Sequence, residues 1–414
     1  MSLKTEISAS LNSPEPGRAQ TLPALGNTLP ACGHFGTCGG CSIQNLPYEQ
    51  QLKLKADKVS ALLAPLAVPA LKIHPAPDIW FYRNKMEFSF GDVYPPQPAG
   101  PFLYLGLKPK GRWYQVLDIQ ECRLLSPQTP ALLSSLRAWA RRENVSPYNS
   151  HKHNGFLRHL VVREAKNGPE RMVVLVTTPG SMPVLSYVKE VTRAYPATTL
   201  LWGVNGKLSD TAVADSMTVL QGSGTITETM RFPDQEIKFV ISPLSFFQTN
   251  TKAAEKLYGI LRVWIKELAP QKTLDLYCGG GGIALSVAGA CGKVWGIEMN
   301  PGAVEDAKKN AVLNGISNVE FYSGSVDLLL PSLLAMSPQA VIADPPRAGL
   351  GTRVLELLST QAPKNLLYVS CNPGALARDL SVLKAHYAVE RIEMVDLFPH
   401  TDHVETVALL KGRF

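Results

Sequence analysis

The chain has 414 residues, enough for two or three domains, and its 45% hydrophobic content can supply ordinary buried cores. A formal charge of +7 draws it mildly toward polyanions without singling out nucleic acid, and seven unevenly placed cysteines exclude a disulfide scaffold at this size. No segment approaches the roughly 18 apolar residues that span a bilayer, and no apolar run of signal-peptide length opens the chain, so a cytoplasmic protein without a membrane partner is expected.

Residues 1–30 are rich in Ser, Pro, Asn and Gly with scattered apolar positions, which predicts a flexible tail. Cys32, Cys38 and Cys41 follow within ten residues, spaced by five residues and then two. Over residues 48–66, Leu52, Val59, Leu62 and Leu63 recur at helical spacing until Pro65 stops the pattern, which predicts one amphipathic helix. From about 79 to 241, short β-rich runs such as MEFSFG, FLYLGL, HLVVRE and MVVLVTT are punctuated by Gly and Pro, predicting an antiparallel-rich α+β region. Two stretches there interleave aromatic and basic residues: WFYRNKMEF at 80–88, and Lys108, Lys110, Arg112, Trp113 and Tyr114. Such mixtures stack on unpaired bases and contact phosphates, although aromatics of a β core with solvated charges between them read the same way.

From Thr249 onward helix and strand alternate, which predicts a doubly wound α/β sheet. LDLYCGGGGIAL (274–285) sets an apolar strand directly before four glycines and a helix, where the backbone can turn sharply and approach a ligand closely. Glu298 ends the next strand, VWGIE, and a carboxylate there accepts hydrogen bonds from ribose hydroxyls. Asp275 precedes the glycine turn, and Asp344 in ADPPR follows the apolar run AVIA. The ends of these strands form the ligand crevice of an open α/β sheet. The combination resembles class I S-adenosylmethionine methyltransferases more than dehydrogenases.

Cys371 closes the apolar strand LLYVSC and is followed by NPGALARDL, where Asn-Pro breaks the strand and a helix begins. An isolated cysteine is usually a small buried hydrophobe. At a strand end in the crevice, next to a helix N-terminus that favours thiolate, it becomes a candidate nucleophile. FPHTDHVETVALL (398–410) carries His400, His403 and Glu405 without the helical register of a zinc HExxH site, so Glu405 is read as a proton acceptor.

ISPLSFFQTN (241–250), DLYCGGGG, GIEMN, DPPRAG, VSCNP and FPHTDHVETV follow in an order that resembles the RNA uracil-5 methyltransferase family across residues 241–414. The resemblance implies S-adenosylmethionine as methyl donor, with Gln248, Tyr277, Glu298 and Asp344 contacting it or holding the site, Cys371 as nucleophile and Glu405 as general base. It implies RNA as partner, ribosomal RNA ahead of transfer RNA, and a monomeric enzyme. The chemistry suits the residue types: a thiolate adds to carbon 6 of uracil, carbon 5 becomes nucleophilic, and a base then removes the carbon 5 hydrogen. The target base must first flip out of any stack.

The cysteine trio lacks one ligand for a soft metal, and Cys122 in DIQECRLLSP supplies it, with His34 as a substitute donor. Zinc and a 4Fe-4S cluster both accept four thiolates, and spacing does not separate them. The family resemblance implies the iron–sulfur cluster, in a structural role; a radical mechanism would call for a Cys-x3-Cys-x2-Cys spacing. Many family members carry an N-terminal β-barrel RNA-binding module, and with 31 residues ahead of Cys32 that module is expected to be missing. The resulting expectation is a Rossmann-like class I methyltransferase domain at 241–414, an α+β central region at 31–240 that carries the metal cluster and binds RNA, and a tail at 1–30. The helix at 48–66 is free to pack on the catalytic part. An amino-methyltransferase using a similar Pro-Pro motif would place an aromatic residue where Arg347 stands, and would leave Cys371 without a task. An RNA-binding protein on a degenerate methyltransferase fold would have no need of Cys371 together with Glu405.

Overall fold

The computed structural model describes residues 31–92 and 103–413; the expected tail at 1–30 lies outside them. In chain order, the first part holds helix α1 (Tyr48–Leu63) and strand β1 (Lys72–His74). The central part runs β2 (Lys85–Gly91), β3 (Tyr104–Leu107), β4 (Leu117–Asp118), α2 (Thr129–Arg142), β5 (Leu157–Glu164), β6 (Arg171–Thr177), α3 (Val184–Ala194), β7 (Thr199–Val204) and β8 (Ser216–Gln221). A hairpin, β9 (Ile226–Phe232) and β10 (Gln235–Ile241), leads into α4 (Thr251–Leu268). Strand and helix then alternate through β11 (Lys272–Leu276), α5 (Gly282–Val287), β12 (Lys293–Glu298), α6 (Pro301–Leu313), β13 (Val319–Ser323) and α7 (Val326–Leu334). The chain ends with β14 (Ala340–Ala343), α8 (Thr352–Thr360), β15 (Asn365–Ser370), α9 (Pro373–Leu383), β16 (Tyr387–Val395) and β17 (Glu405–Gly412).

The C-terminal strands form one sheet in the order β1-β16-β17-β15-β14-β11-β12-β13. From β15 to β13 all neighbours are parallel, whereas β17 is antiparallel to both β15 and β16. Parallel strands are covered on both faces, which is why AVIA and LLYV read as unbroken apolar runs. Alternate side chains divide the work. Leu274, Leu276, Val341, Ala343, Leu366 and Tyr368 share a cluster with α1, α7, α8 and α9, while Ala340, Ile342, Leu367 and Val369 share the other with α4, α5 and α6.

Strand order reverses between β11 and β14, so the crevice opens beyond the carboxyl ends of those two strands. Because β17 runs the opposite way, its first residue lies on the edge where β14 and β15 end. Ser370 pairs with Thr406, which brings the next residue, Cys371, level with Glu405.

The central sheet has the order β4-β3-β2-β5-β6-β7-β8 and is antiparallel except for β6 and β7, which are joined through α3. One face buries Phe88, Leu160, Val162, Val173 and Leu175 against Trp139 of α2 and Tyr187 of α3. On the opposite face Val161, Met172, Val174 and Val176 belong to the same apolar cluster as β9, β10 and α4, so the two sheets share a core. The helix expected over 48–66 is α-helical only to Leu63; Ala64–Leu66 tighten into a 3-10 turn at Pro65, which has no amide hydrogen to continue the α-helical ladder. Among the described residues no helix is long and apolar enough to cross a membrane.

Candidate active site

The glycine turn after β11 forms the floor of the crevice. Gly279 has φ +52° and Gly281 +84°, which glycine adopts cheaply, and Tyr277 is held at +64° in the same region despite its side chain. A Cβ added at Gly279 or Gly280 would meet nothing within 4 Å, whereas one at Gly282 would come within 2.8 Å of Tyr258 Oη. The turn therefore presents bare backbone to an open cavity on one side and packs tightly on the other. Gln248, Tyr277, Cys278, Gly279, Gly280 and Asp344 line that cavity. Three of the four expected donor-site residues thus share one wall. The fourth, Glu298, does not line the cavity but braces its floor, its Oε2 accepting from Gly279 N (3.2 Å) and its Oε1 from Asn300 N (2.7 Å). It holds the turn, and its remaining lone pairs can accept from hydroxyls. Asp275 is fully buried; its Oδ2 accepts from Ala284 N (2.9 Å), and burial followed by the charge of Asp344 raises its carboxyl well above the ordinary range.

At the adjoining end of the sheet the structure brings together Cys371, Glu405 and Asp344. Glu405 is only 4% exposed, and burial, then Asp344, raises its carboxyl well above the ordinary value while Arg347 opposes the rise. Burial alone pushes Asp344 up to about 7. The thiol of Cys371 does not have the lowered pKa expected from its place beside a helix. Burial, then Glu405 and Asp344, pushes it up to about 11, with Arg347 pulling the other way. The start of α9 does not offset this rise: Asn372 Oδ1 accepts from Gly374 N (3.1 Å) and Ala375 N (3.4 Å), so the cap takes the first free amides of the helix. Arg347, 3.3 Å from His403 Nε2, is the cation that lowers both Cys371 and Glu405. Sequence reasoning noted it only as a position lacking an aromatic ring.

The central sheet holds the loop that carries Gln248. Asn84 Nδ2 donates to Gln248 O (2.7 Å), Asn84 N to Thr249 O (2.8 Å), and the buried Arg163 donates to Pro243 O (2.8 Å) and Ser245 O. Phe246, 70% exposed on this loop, lines both the donor cavity and a larger cleft of about 1250 Å³ next to it. That cleft also gathers Arg83, Lys85, Lys108, Lys110 and Arg112 against Glu87 and Asp402. The basic members of both sequence patches line it. The aromatic members of the first patch do not: Trp80 stacks on His400 (centroids 3.8 Å, 24°), Tyr82 is buried with its hydroxyl on Pro399 O (3.1 Å), and Phe88 is a core residue. Trp113, 56% exposed beside Tyr114 and His151, remains available to a base.

Residues 211–413 match the family described as tRNA (Uracil-5-)-methyltransferase. An uncharacterised RNA methyltransferase of Caldanaerobacter subterraneus is 38% identical over 92% of this chain and 84% of its own length. One from Clostridium tetani is 37% identical over 92% and 84%. The crystal structure of the tRNA (uracil-54, C5)-methyltransferase of Pyrococcus abyssi, in complex with S-adenosylhomocysteine, superposes with a TM-score of 0.74 at 31% identity, covering 91% of this chain and 86% of that one. The chain belongs to the RNA uracil-5 methyltransferase family. As an RNA uracil-5 methyltransferase it is an S-adenosylmethionine-dependent enzyme, and the open glycine turn beside Gln248 and Tyr277 fits such a donor.

In this methyltransferase Cys32, Cys38, Cys41 and Cys122 line one small pocket walled by Leu107, Ile119 and Leu124. Burial, and then the neighbouring cysteines, push the thiols of Cys38 and Cys41 up to about 11 and about 12, so the four sulfurs sense one another. His34 is engaged elsewhere, its Nε2 accepting from Gln120 N (3.0 Å). The donor set suits a soft metal, but the thiols are not closed into a ligand shell: among the described residues no three Cys, His, Asp or Glu side chains form a metal-binding group.

Proposed function

We propose that this enzyme methylates carbon 5 of a uridine in RNA through a covalent bond between Cys371 Sγ and uracil carbon 6, with Glu405 as the base. The observation that carries this reading is the strand register that sets Cys371 level with Glu405 at the crevice, next to the cavity of Gln248, Tyr277 and Asp344. S-adenosylmethionine supplies an electrophilic methyl group when bound. Cys371 gives its proton to water and its thiolate adds to carbon 6, and the electron pair of the double bond moves to carbon 5 and the carbonyl, so carbon 5 can take the methyl group. Glu405, as carboxylate, then accepts the carbon 5 hydrogen, the double bond re-forms, and the sulfur leaves with its electron pair. Arg347 favours the charged forms of both residues. Asp344 and Gln248 line the cavity that orients the donor.

The substrate put forward first is ribosomal RNA, bound as a monomeric enzyme with the basic cleft against the backbone. The activity of the Pyrococcus relative on uracil-54 of a transfer RNA favours transfer RNA as a second reading. Incubation with labelled S-adenosylmethionine and RNA of each class, followed by mapping of the labelled nucleotide, decides between them; label on a base other than uracil would defeat both. We further propose that Cys32, Cys38, Cys41 and Cys122 hold a 4Fe-4S cluster. Anaerobic purification should yield iron and sulfide with visible absorbance; stoichiometric zinc without sulfide would refute the assignment.

A further inference from the structure

We propose that the face of α1 formed by Tyr48, Gln51 and Lys55 is a strut that sets the position of Glu405, which makes Gln51 and Lys55 positioning residues for the elimination step. The inference rests on the reading of Glu405 as base. Residues 48, 51 and 55 are three and four apart and so share one side of the helix. Instead of apolar surface, that side holds the link between β16 and β17. Lys55 and Asp396 have no exposed side-chain surface and pair at 2.7 Å; Lys55 Nζ also donates to Phe398 O (3.0 Å). Tyr48 Oη donates to Asp396 Oδ2 (3.0 Å) and accepts from Ala76 N (2.7 Å). Gln51 Oε1 accepts from His400 N (2.8 Å), which fixes its amide so that Nε2 faces His400 Nδ1 (3.2 Å) and Leu46 O (2.9 Å).

The link needs such an outside template. It has no regular structure between Val395 and Glu405, and His400 is held at φ +69°. A buried ion pair is seldom the most stable way to fill its space, but it selects one geometry. Asp396 directly follows Val395, the register partner of Glu405, so its anchoring fixes the strand opposite the base. From the other side, the amides of Ser42 and Ile43 donate to His400 O (2.9 and 3.1 Å). Cys371 has supports of its own besides β17, namely the pairing of β15 with β14 and the Asn372 cap. Loosening the strut therefore moves the base relative to the nucleophile.

The test compares the full-length wild type, Gln51→Ala, and the double variant Lys55→Met with Asp396→Leu, which leaves no orphaned charge. The probes are a substrate RNA and the same RNA carrying 5-fluorouridine, from which no carbon 5 proton can be removed. Both variants should bind donor and form the fluorinated adduct at wild-type rates. Turnover of the ordinary RNA should fall by up to about 100-fold, with protein–RNA adduct accumulating, since small misplacements cost that much. Unchanged turnover in both variants, or turnover and fluorinated adduct formation falling together, would overturn the strut. A wild type that forms no fluorinated adduct would instead remove the covalent mechanism itself.

Discussion

The central sheet and the crevice of the C-terminal sheet treat buried charge in opposite ways. In the central sheet it is matched: Arg158 donates to Asn205 O (3.0 Å), Lys207 O (2.6 Å) and Ser209 O (2.5 Å), Arg137 pairs with Asp118 (3.1 Å), and Lys166 with Glu164 (2.7 Å). At the crevice of the C-terminal sheet, Asp275, Asp344 and Glu405 form no ion pair with a described residue, and all three have raised pKa values. Matched charge gives rigidity. Unmatched carboxylates cost stability and are retained where chemistry uses them, so the contrast between the central sheet and the crevice separates scaffold from site.

The largest effect should come from Cys371→Ala, with methyl transfer lost and donor affinity by calorimetry unchanged; measurable turnover would break the contrast at its strongest point. Glu405→Gln should lower turnover by roughly 10²–10⁴-fold while an RNA adduct persists on a denaturing gel. On the scaffold side, Arg158→Met should leave three carbonyls unpaired and cost on the order of 3 kcal/mol in denaturant unfolding, with kcat preserved. Asp344→Asn sharpens the same point. A carboxyl near 7 when folded, against an ordinary value of 3.8, stabilises the fold below about pH 4 and loses that contribution as pH rises through 7. The variant should therefore gain about 1–3 kcal/mol over wild type at pH 8 while losing activity.

The smallest effect concerns pH. Cys371 and Glu405 must both be deprotonated, and both are raised, so turnover should climb with pH across the neutral range. Arg347 lowers both groups, so Arg347→Ala should move that climb to higher pH. An identical profile would separate Arg347 from the site.

The donor turn, Glu298, Asp344 and the strand before Cys371 were legible because each depends on neighbours in sequence: an apolar run, then glycine or a carboxylate. The sign of the Cys371 shift was not, because it turns on burial and on carboxylates arriving at the ends of β14 and β17. Nor was the fate of the ring in Trp80, which resembles a base-stacking residue in sequence and is spent on His400, 320 positions away. Lys55 is not among the apolar positions that mark the helix in the sequence, and only the packing of α1 on Asp396 shows it buried. Phe246 gave no signal beyond its apolarity, since its exposure follows from Arg163 holding the loop beneath it.

The most direct test of the account is peptide mass spectrometry of the enzyme after incubation with donor and substrate RNA carrying 5-fluorouridine. A methylated fluorouridine nucleotide should be found joined to the peptide that contains Cys371. Methylation of the ordinary RNA without such an adduct, or an adduct on Cys278 or another residue, would contradict it.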